Sequence, residues 1–333
     1  MERTHFLHLA AAALSAGGLA GCAQNAAPTQ SASPVAPPAA APAPQALSFA
    51  DAVRGIEAVI ARDRADPLIE AAAYPRLYHH GKSTERAVVL FHGFTNCPQQ
   101  FDELARGFHA RGCNVYVPRV PLHGYRDRLT RALGALTVPQ LRGSATEAYT
   151  FVRGLGEKTA ALGLSMGGSM ALYLAQTQDI DHAIPVSPFL MPIHIPDRVG
   201  LVAMRTIDSR PDRYVWWDPR VKEKCLPLYA YPGFPTHALA QLVFFGNGVV
   251  KAANGGTRPR ARLCTLVTNL NESAVNNNVT FELMDTWKKS GAHYDRVVLS
   301  GLGEPRHDII DPTTFPQART LVYPKLEAIV MDS

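Results

Sequence analysis

"TAALGLSMGGSMALYLAQ", Thr159 to Gln176, is the stretch on which the fold is decided. Thr159–Leu164 is an apolar run of strand length, and from Met166 the spacing turns helical, with small residues at Gly167, Gly168, Ala171 and Ala175. Between them Gly163, Ser165 and Gly167 spell GxSxG. The pattern alone is weak, because about 0.1 such matches arise by chance in a chain of this composition. Its setting gives it weight. A sharp strand-to-helix turn tolerates little side chain beside the serine, hence the glycines, and the helix N-terminus beyond it offers partial positive charge to an anion. The plainer alternative is an ordinary glycine-rich turn.

Outward from this point, short apolar runs alternate with helix-like stretches of about 10 to 18 residues. The runs are Ala87–Phe91, Asn114–Pro118, Thr159–Leu164, His182–Ser187, Leu263–Thr268 and Asp295–Ser300. Strands of this kind read as buried on both faces, so the expected architecture is α/β, a mostly parallel sheet covered by helices. The alternation breaks at about 188–262, far beyond the usual 2 to 6 residues of a strand–helix connection. That segment holds Trp216, Trp217, Tyr229, Tyr231 and Phe234 and reads as an inserted cap, its aromatics either lining a pocket or forming a core of their own.

The chain has 333 residues, 47% hydrophobic and 18% charged, enough for one large core. The formal net charge of +5 carries no long basic run, and nucleic-acid binding gains no support. Residues 1–21 have the charge, apolar run and small residues of a signal peptide. "LAGC", Leu19 to Cys22, is similar to a bacterial lipobox, which makes Cys22 the expected lipidation site, with Ala23 favouring the outer membrane. Residues 22–46 then form an Ala/Pro-rich tether, and 47–333 the folded domain. The expected location is the bacterial envelope, facing the periplasm, or secreted. "SFAD" from Ser48 predicts a helix cap, with the helix running to about Arg62. Cys97, Cys113, Cys225 and Cys264 allow three complete pairings in an exported protein. No metal-ligand spacing occurs.

With "LFHGF", "VYVPRVPLHG" and "GLSMGG" in hand, the chain from about Arg86 onward resembles the α/β-hydrolase family, in particular small carboxylesterases and monoacylglycerol-lipase-like enzymes. The resemblance implies an α/β-hydrolase fold and a serine nucleophile, Ser165, whose hydroxyl needs a neighbouring imidazole and an orienting carboxylate. In this fold the chain order is serine, acid, histidine. Among the histidines after Ser165, His182 and His293 precede strands, His194 and His237 fall in the cap, and His307 follows the last strand, at the carboxyl end where sites form. His307 is the expected base. Family members commonly read Gly-x-x-Asp-x-x-Val after the preceding strand. Placing Asn269 and Val275 on that pattern puts Glu272 at the acid, a departure from the usual aspartate, with Asp285 and Asp308 as less well-placed alternatives.

The resemblance also implies an oxyanion hole from the backbone N–H groups of Met166 and Phe94. His92 lies upstream of Ser165, in the wrong order for the base, and is expected to hold its loop by a hydrogen bond, while Gly93 lets the backbone approach. Cys97 is placed to brace this loop, with Cys113 a candidate partner. Arg119, Arg126, Arg128 and Arg131 are either attractants for an anionic substrate or headgroup, or a solvated face. The expected activity is cleavage of carboxylic esters through an acyl-enzyme, with no cofactor and no metal. A peptidase or thioesterase with the same triad and a non-catalytic envelope lipoprotein remain alternatives. The expected partners are a small-molecule or lipid ester and, through Cys22, a membrane.

Overall fold

The computed structural model describes residues 46–332, apart from 194, 196, 221, 223–226 and 305. The expected signal peptide, Cys22 and most of the tether lie outside the described residues. Within them no helix is long and apolar enough to cross a membrane.

Seven strands form the main sheet: β1 (Arg76–Tyr78), β2 (Thr84–Phe91), β3 (Asn114–Val117), β4 (Gly156–Leu164), β5 (His182–Val186), β8 (Leu263–Asn269) and β9 (Tyr294–Leu299). Their order across it is β1-β3-β2-β4-β5-β8-β9. All neighbouring pairs are parallel except β1 with β3. The six apolar runs read from the sequence are six of these strands. The seventh, β1, is a three-residue half-buried edge strand, too short to show a period.

Alternation sends successive side chains of each strand into two cores. Ala87, Val89 and Phe91 of β2 enter one, with Tyr116, Ala161, Ala183 and Leu266 of the neighbouring strands. Val88 and Leu90 enter the other, with Val115, Leu162, Ile184 and Val267. Both faces of the central strands are therefore covered, which is why their buried stretches are mostly apolar. Helices α1 (Phe49–Ala65), α3 (Val138–Leu155) and α4 (Met166–Thr177) pack on the first face, and α2 (Asp102–Ala110) on the second. Ser48 caps α1 as expected, its hydroxyl accepting from Asp51 N at 3.1 Å.

Between β5 and β8 lie helix α5 (Asp197–Asp208), the antiparallel pair β6 (Tyr214–Trp216) and β7 (Gly233–Pro235), and helix α6 (Thr236–Asn254). Leu239, Leu242, Val243 and Phe245 of α6 belong to the first core, so α6 is the crossover helix on the sheet. The stretch before it reaches over the carboxyl ends of the strands.

Candidate active site

Ser165 directly follows β4 with φ 59° and ψ −115°, a region that a non-glycine residue occupies at a cost of about 1–3 kcal/mol. Its neighbours hold it there. Ser165 N donates to Val186 O at 3.0 Å, and Ser165 O accepts from Ser169 N and Phe189 N. The flanking glycines are sterically required: a Cβ on Gly163 would overlap the Gly167 backbone, and one on Gly167 would overlap Phe91 O at the end of β2. The turn therefore drives α4 against the sheet and leaves the serine at the helix N-terminus, 5% exposed.

Two strands away, β8 ends in a loop carrying Glu272, and β9 is followed by the loop carrying His307. His307 Nδ1 and Glu272 Oε1 are 2.8 Å apart. The same Oε1 accepts from Ser273 N and Ala274 N at 2.8 Å and Val275 N at 3.4 Å. Oε2 is buried without a hydrogen-bond partner among the described residues, the Ser187 hydroxyl being close but out of bonding geometry. Burial pushes the Glu272 carboxyl upward, but the His307 ring and the backbone donors outweigh it and hold it below its ordinary value. The acid and base loops are zipped together by Asn269 Nδ2 donating to Arg306 O at 2.7 Å and Arg306 N donating to Asn271 O at 2.9 Å. The alternative acids are engaged elsewhere or remote: Asp285 is exposed on helix α7 (Asn277–Lys289), and Asp308 bonds Gln100, Ile310 N and Asp311 N.

The loop after β2 is built around His92. Val120 N donates to His92 Nε2 at 3.1 Å, so that nitrogen is an acceptor and the proton sits on Nδ1, which donates to Gly93 O at 2.9 Å. Gly93 O also accepts from Asn96 N at 3.2 Å. Because the peptide is planar and trans, fixing that carbonyl points Phe94 N–H the opposite way. Phe94 N–H has no acceptor among the described residues. Met166 N is the first amide of α4 and lies among those a helix leaves unpaired. At Gly93 the protein's own atoms leave room for a side chain. A Cβ there would stand 3.5 Å from Gln100 Oε1 and 3.7 Å from Leu164 O, which is ordinary contact.

His92 and His123 are buried, their rings 5.1 Å apart, and His182 is buried at the start of β5. Burial, reinforced by His123, holds His92 well below its ordinary value. Burial alone brings His182 down to about 4, and it dominates at His123, also about 4. The unfolded chain binds protons at these sites below the ordinary 6.5 whereas the folded chain does not until about 4, so stability falls with pH across that window. His123 and His182 are each expected to withdraw about 2 kcal/mol of stability between pH 7.5 and pH 5. Urea midpoints at the two pH values measure this, and an unchanged midpoint would contradict neutral buried imidazoles.

The overlying segment grips the same loop. Thr95, at φ 65°, accepts from Tyr231 N at 2.8 Å through its carbonyl and from Trp217 Nε1 at 2.9 Å through its hydroxyl. The Phe94 ring stands against Trp217, Phe234 and His123. Trp217 and Phe234 thus join the cap to the loop below, which neither reading of the aromatics anticipated.

Two further expectations are corrected. Cys97 and Cys113 are not paired: both are buried thiols, Cys97 Sγ facing Ala72 O and Cys113 Sγ facing Met331 Sδ. Burial pushes the Cys97 thiol up to about 12, and Cys264 is likewise free and buried. Cys225 lies outside the described residues. The four arginines are staples. Arg119 pairs with buried Asp63 at 2.8 Å, Arg126 donates to Ile69 O, Arg128 to Pro227 O and Ala230 O, and Arg131 to Asp212 O. They fasten the loop after β3 to the N-terminal segment and to the cap; Arg119 and Arg128 are partly buried, while Arg126 and Arg131 keep the exposure of a solvated face.

The chain is similar to known proteins. A thermostable monoacylglycerol lipase of Bacillus sp. (strain H-257) is 31% identical over 164 residues, 46% of this chain and 59% of that enzyme. The chain thus spans under two-thirds of the length of that curated relative. Among solved structures, a metagenome-derived lipolytic enzyme superposes with a TM-score of 0.60 at 20% identity, covering 80% of this chain and 100% of that one. The monoacylglycerol lipase of Paleococcus ferrophilus does so at 0.54 and 17%, covering 77% and 98%. At such identities the likeness concerns the fold. The Alpha/beta hydrolase family model matches residues 88–324, most of the chain and every strand from the second half of β2 onward, and the protein therefore belongs to the alpha/beta hydrolase family.

Proposed function

We propose that this hydrolase cleaves carboxylic esters, of the monoacylglycerol or simple alkyl type, through an acyl-enzyme on Ser165. The observation that carries the reading is the buried Glu272–His307 hydrogen bond of 2.8 Å, made by loops at the same sheet edge as a serine held at positive φ. A lone buried glutamate bonded to a half-buried imidazole does little for the fold, whereas it fixes the ring with Nδ1 protonated and Nε2 able to accept a proton. The monoacylglycerol lipase relative supports the ester class.

In this reading Ser165 Oγ attacks the ester carbonyl carbon while His307 Nε2 takes the hydroxyl proton. The negative charge that develops on the carbonyl oxygen is met by Phe94 N–H and Met166 N–H, donors oriented beforehand by the loop and the helix end. Collapse breaks the bond to the alcohol oxygen, which receives the proton from His307. Water then attacks the acyl-serine, deprotonated by His307; collapse breaks the bond to Ser165 Oγ, which takes the proton back from His307, and the carboxylic acid leaves. Glu272, held ionised by its partners, stabilises the imidazolium in both halves. The lipobox-like "LAGC" supports display of this activity on the bacterial envelope, tethered at Cys22.

The test is labelling with a fluorophosphonate followed by peptide mapping, run beside initial rates on p-nitrophenyl esters, monoacylglycerols, acyl thioesters and aminoacyl anilides. Label on Ser165 with esters turned over fastest is the expected result. Label elsewhere, or faster turnover of thioesters or anilides, would overturn the assignment.

A further inference from the structure

Gln100 is 2% exposed, in the short 3-10 turn Pro98–Phe101 that follows the His92–Phe94 loop. Its side chain reaches both Gly93, in the loop just before it, and Asp308, 208 residues further along the chain. Oε1 accepts from Gly93 N at 2.8 Å, which fixes the orientation of the amide, and Nε2 donates to Asp308 Oδ2 at 2.8 Å. The other carboxylate oxygen, Asp308 Oδ1, accepts from Ile310 N and Asp311 N at 3.0 Å each. Every donor and acceptor in this chain of bonds has a single allowed direction. The strands that launch the two loops, β2 and β9, are not neighbours; β4, β5 and β8 lie between them. The buried amide therefore links the backbone N–H of Gly93, the residue before Phe94, to the side chain of Asp308, the residue after His307.

We propose that Gln100 and Asp308 are positioning residues that lock the loop presenting Phe94 N–H to the loop presenting His307. The inference rests on the esterase reading above and adds to it the pair that sets the distance between oxyanion donor and base. Gly93 is held at both ends of its backbone: His92 and Asn96 fix its carbonyl, and Gln100 fixes its amide. Without Gln100 the carbonyl tether remains, but the loop loses its connection to the base. A shift on the order of 1 Å between reacting groups costs up to about 100-fold in rate. Neither residue touches substrate, so the effect falls on kcat.

Reversal of polarity tests this. Gln100→Glu sets a carboxylate against Asp308, and Asp308→Asn sets its amide nitrogen against that of Gln100, because Oδ1 stays committed to two backbone amides. Each single change is expected to lower kcat for Ser165-dependent ester hydrolysis by about 10- to 100-fold with KM little altered. Both are expected to speed hydrogen exchange at Gly93 N–H. In the double variant, Gln100→Glu with Asp308→Asn, the new amide donates to the new carboxylate. The link then re-forms in the opposite direction, and kcat and exchange return to within about threefold of the parent. Unchanged exchange in both single variants overturns the lock. Faster exchange with unchanged kcat overturns the positioning role, as does a double variant no better than the product of the singles. If the parent protein itself shows no Ser165-dependent turnover, the esterase reading fails before any of these variants is made, and the positioning role falls with it, while exchange at Gly93 still decides the link.

Discussion

Ser165→Ala is expected to lower kcat for p-nitrophenyl ester hydrolysis on the order of 10⁵- to 10⁶-fold and to abolish fluorophosphonate labelling. The fold loses little by the change. Among the described residues Ser165 is anchored by backbone bonds, to Val186 O, from Ser169 N and from Phe189 N, all of which alanine keeps. The strained φ of 59° is paid equally by either residue. The unfolding free energy should therefore move by no more than about 0.5 kcal/mol, the range of substitutions that create neither cavity nor orphaned group. Residual turnover above the uncatalysed rate is expected from the Phe94 and Met166 amides, which bind the developing charge whether water or serine attacks. Steady-state rates with denaturation curves on one preparation separate the outcomes: lost activity with lost stability would point to a damaged fold, and retained activity would remove Ser165 from the mechanism.

Glu272→Gln follows, with an effect whose size depends on which way the amide faces. Three backbone N–H groups converge on Oε1, so an amide oxygen must take that position and the amide nitrogen must take the place of Oε2. His307 Nδ1 then keeps an acceptor and the ring keeps its tautomer. What disappears is the negative charge opposite the imidazolium. A drop in kcat of about 10²- to 10³-fold is expected, the scale of removing one strong electrostatic contact to the transition state. The larger loss of about 10⁴-fold belongs to sites where an amide forces the wrong tautomer. The new NH₂ is buried where Oε2 has no partner, so a stability cost of about 1–3 kcal/mol accompanies it. Glu272→Ala, which leaves Nδ1–H without its acceptor, should fall below the glutamine variant in kcat. Equal rates for the two would mean that the hydrogen bond to Nδ1 contributes nothing beyond the lost charge.

The sheet and the elbow were legible because their causes are local. A strand buried on both faces is mostly apolar, and Ala87–Phe91 or Leu263–Thr268, with only its two threonines polar, announces that without reference to anything distant. Gly163 is required by the Gly167 backbone within one turn of chain, whereas Gly167 is required by Phe91 O on the neighbouring strand; strand polarity alone separates His307 from His293. Glu272 was reachable only by placing a pattern whose first position is Asn269 rather than glycine; that asparagine proves to clamp Arg306 O. The illegible parts are side chains that bond backbone carbonyls or amides far along the chain. Arg126 and Arg128 end on Ile69, Pro227 and Ala230, and a carbonyl has no residue signature. Gln100 has the same character, its two partners unrelated in sequence. The cysteines misled for a different reason: spacing cannot report that Cys97 and Cys113 face Ala72 and Met331.

Thr95 gives the cap a standing that its position in the sequence conceals. It follows Phe94, whose amide meets the oxyanion in the proposed mechanism, and it is bonded by Tyr231 through the backbone and by Trp217 through the indole. The cap and the loop that carries Phe94 are thus joined by two hydrogen bonds on one residue. Such a cap is not an interchangeable module. Transplanting it between relatives, or redesigning it for a longer acyl chain, alters turnover together with preference unless the grips on Thr95 travel with it, and drift in this family member is constrained to keep both functions in step.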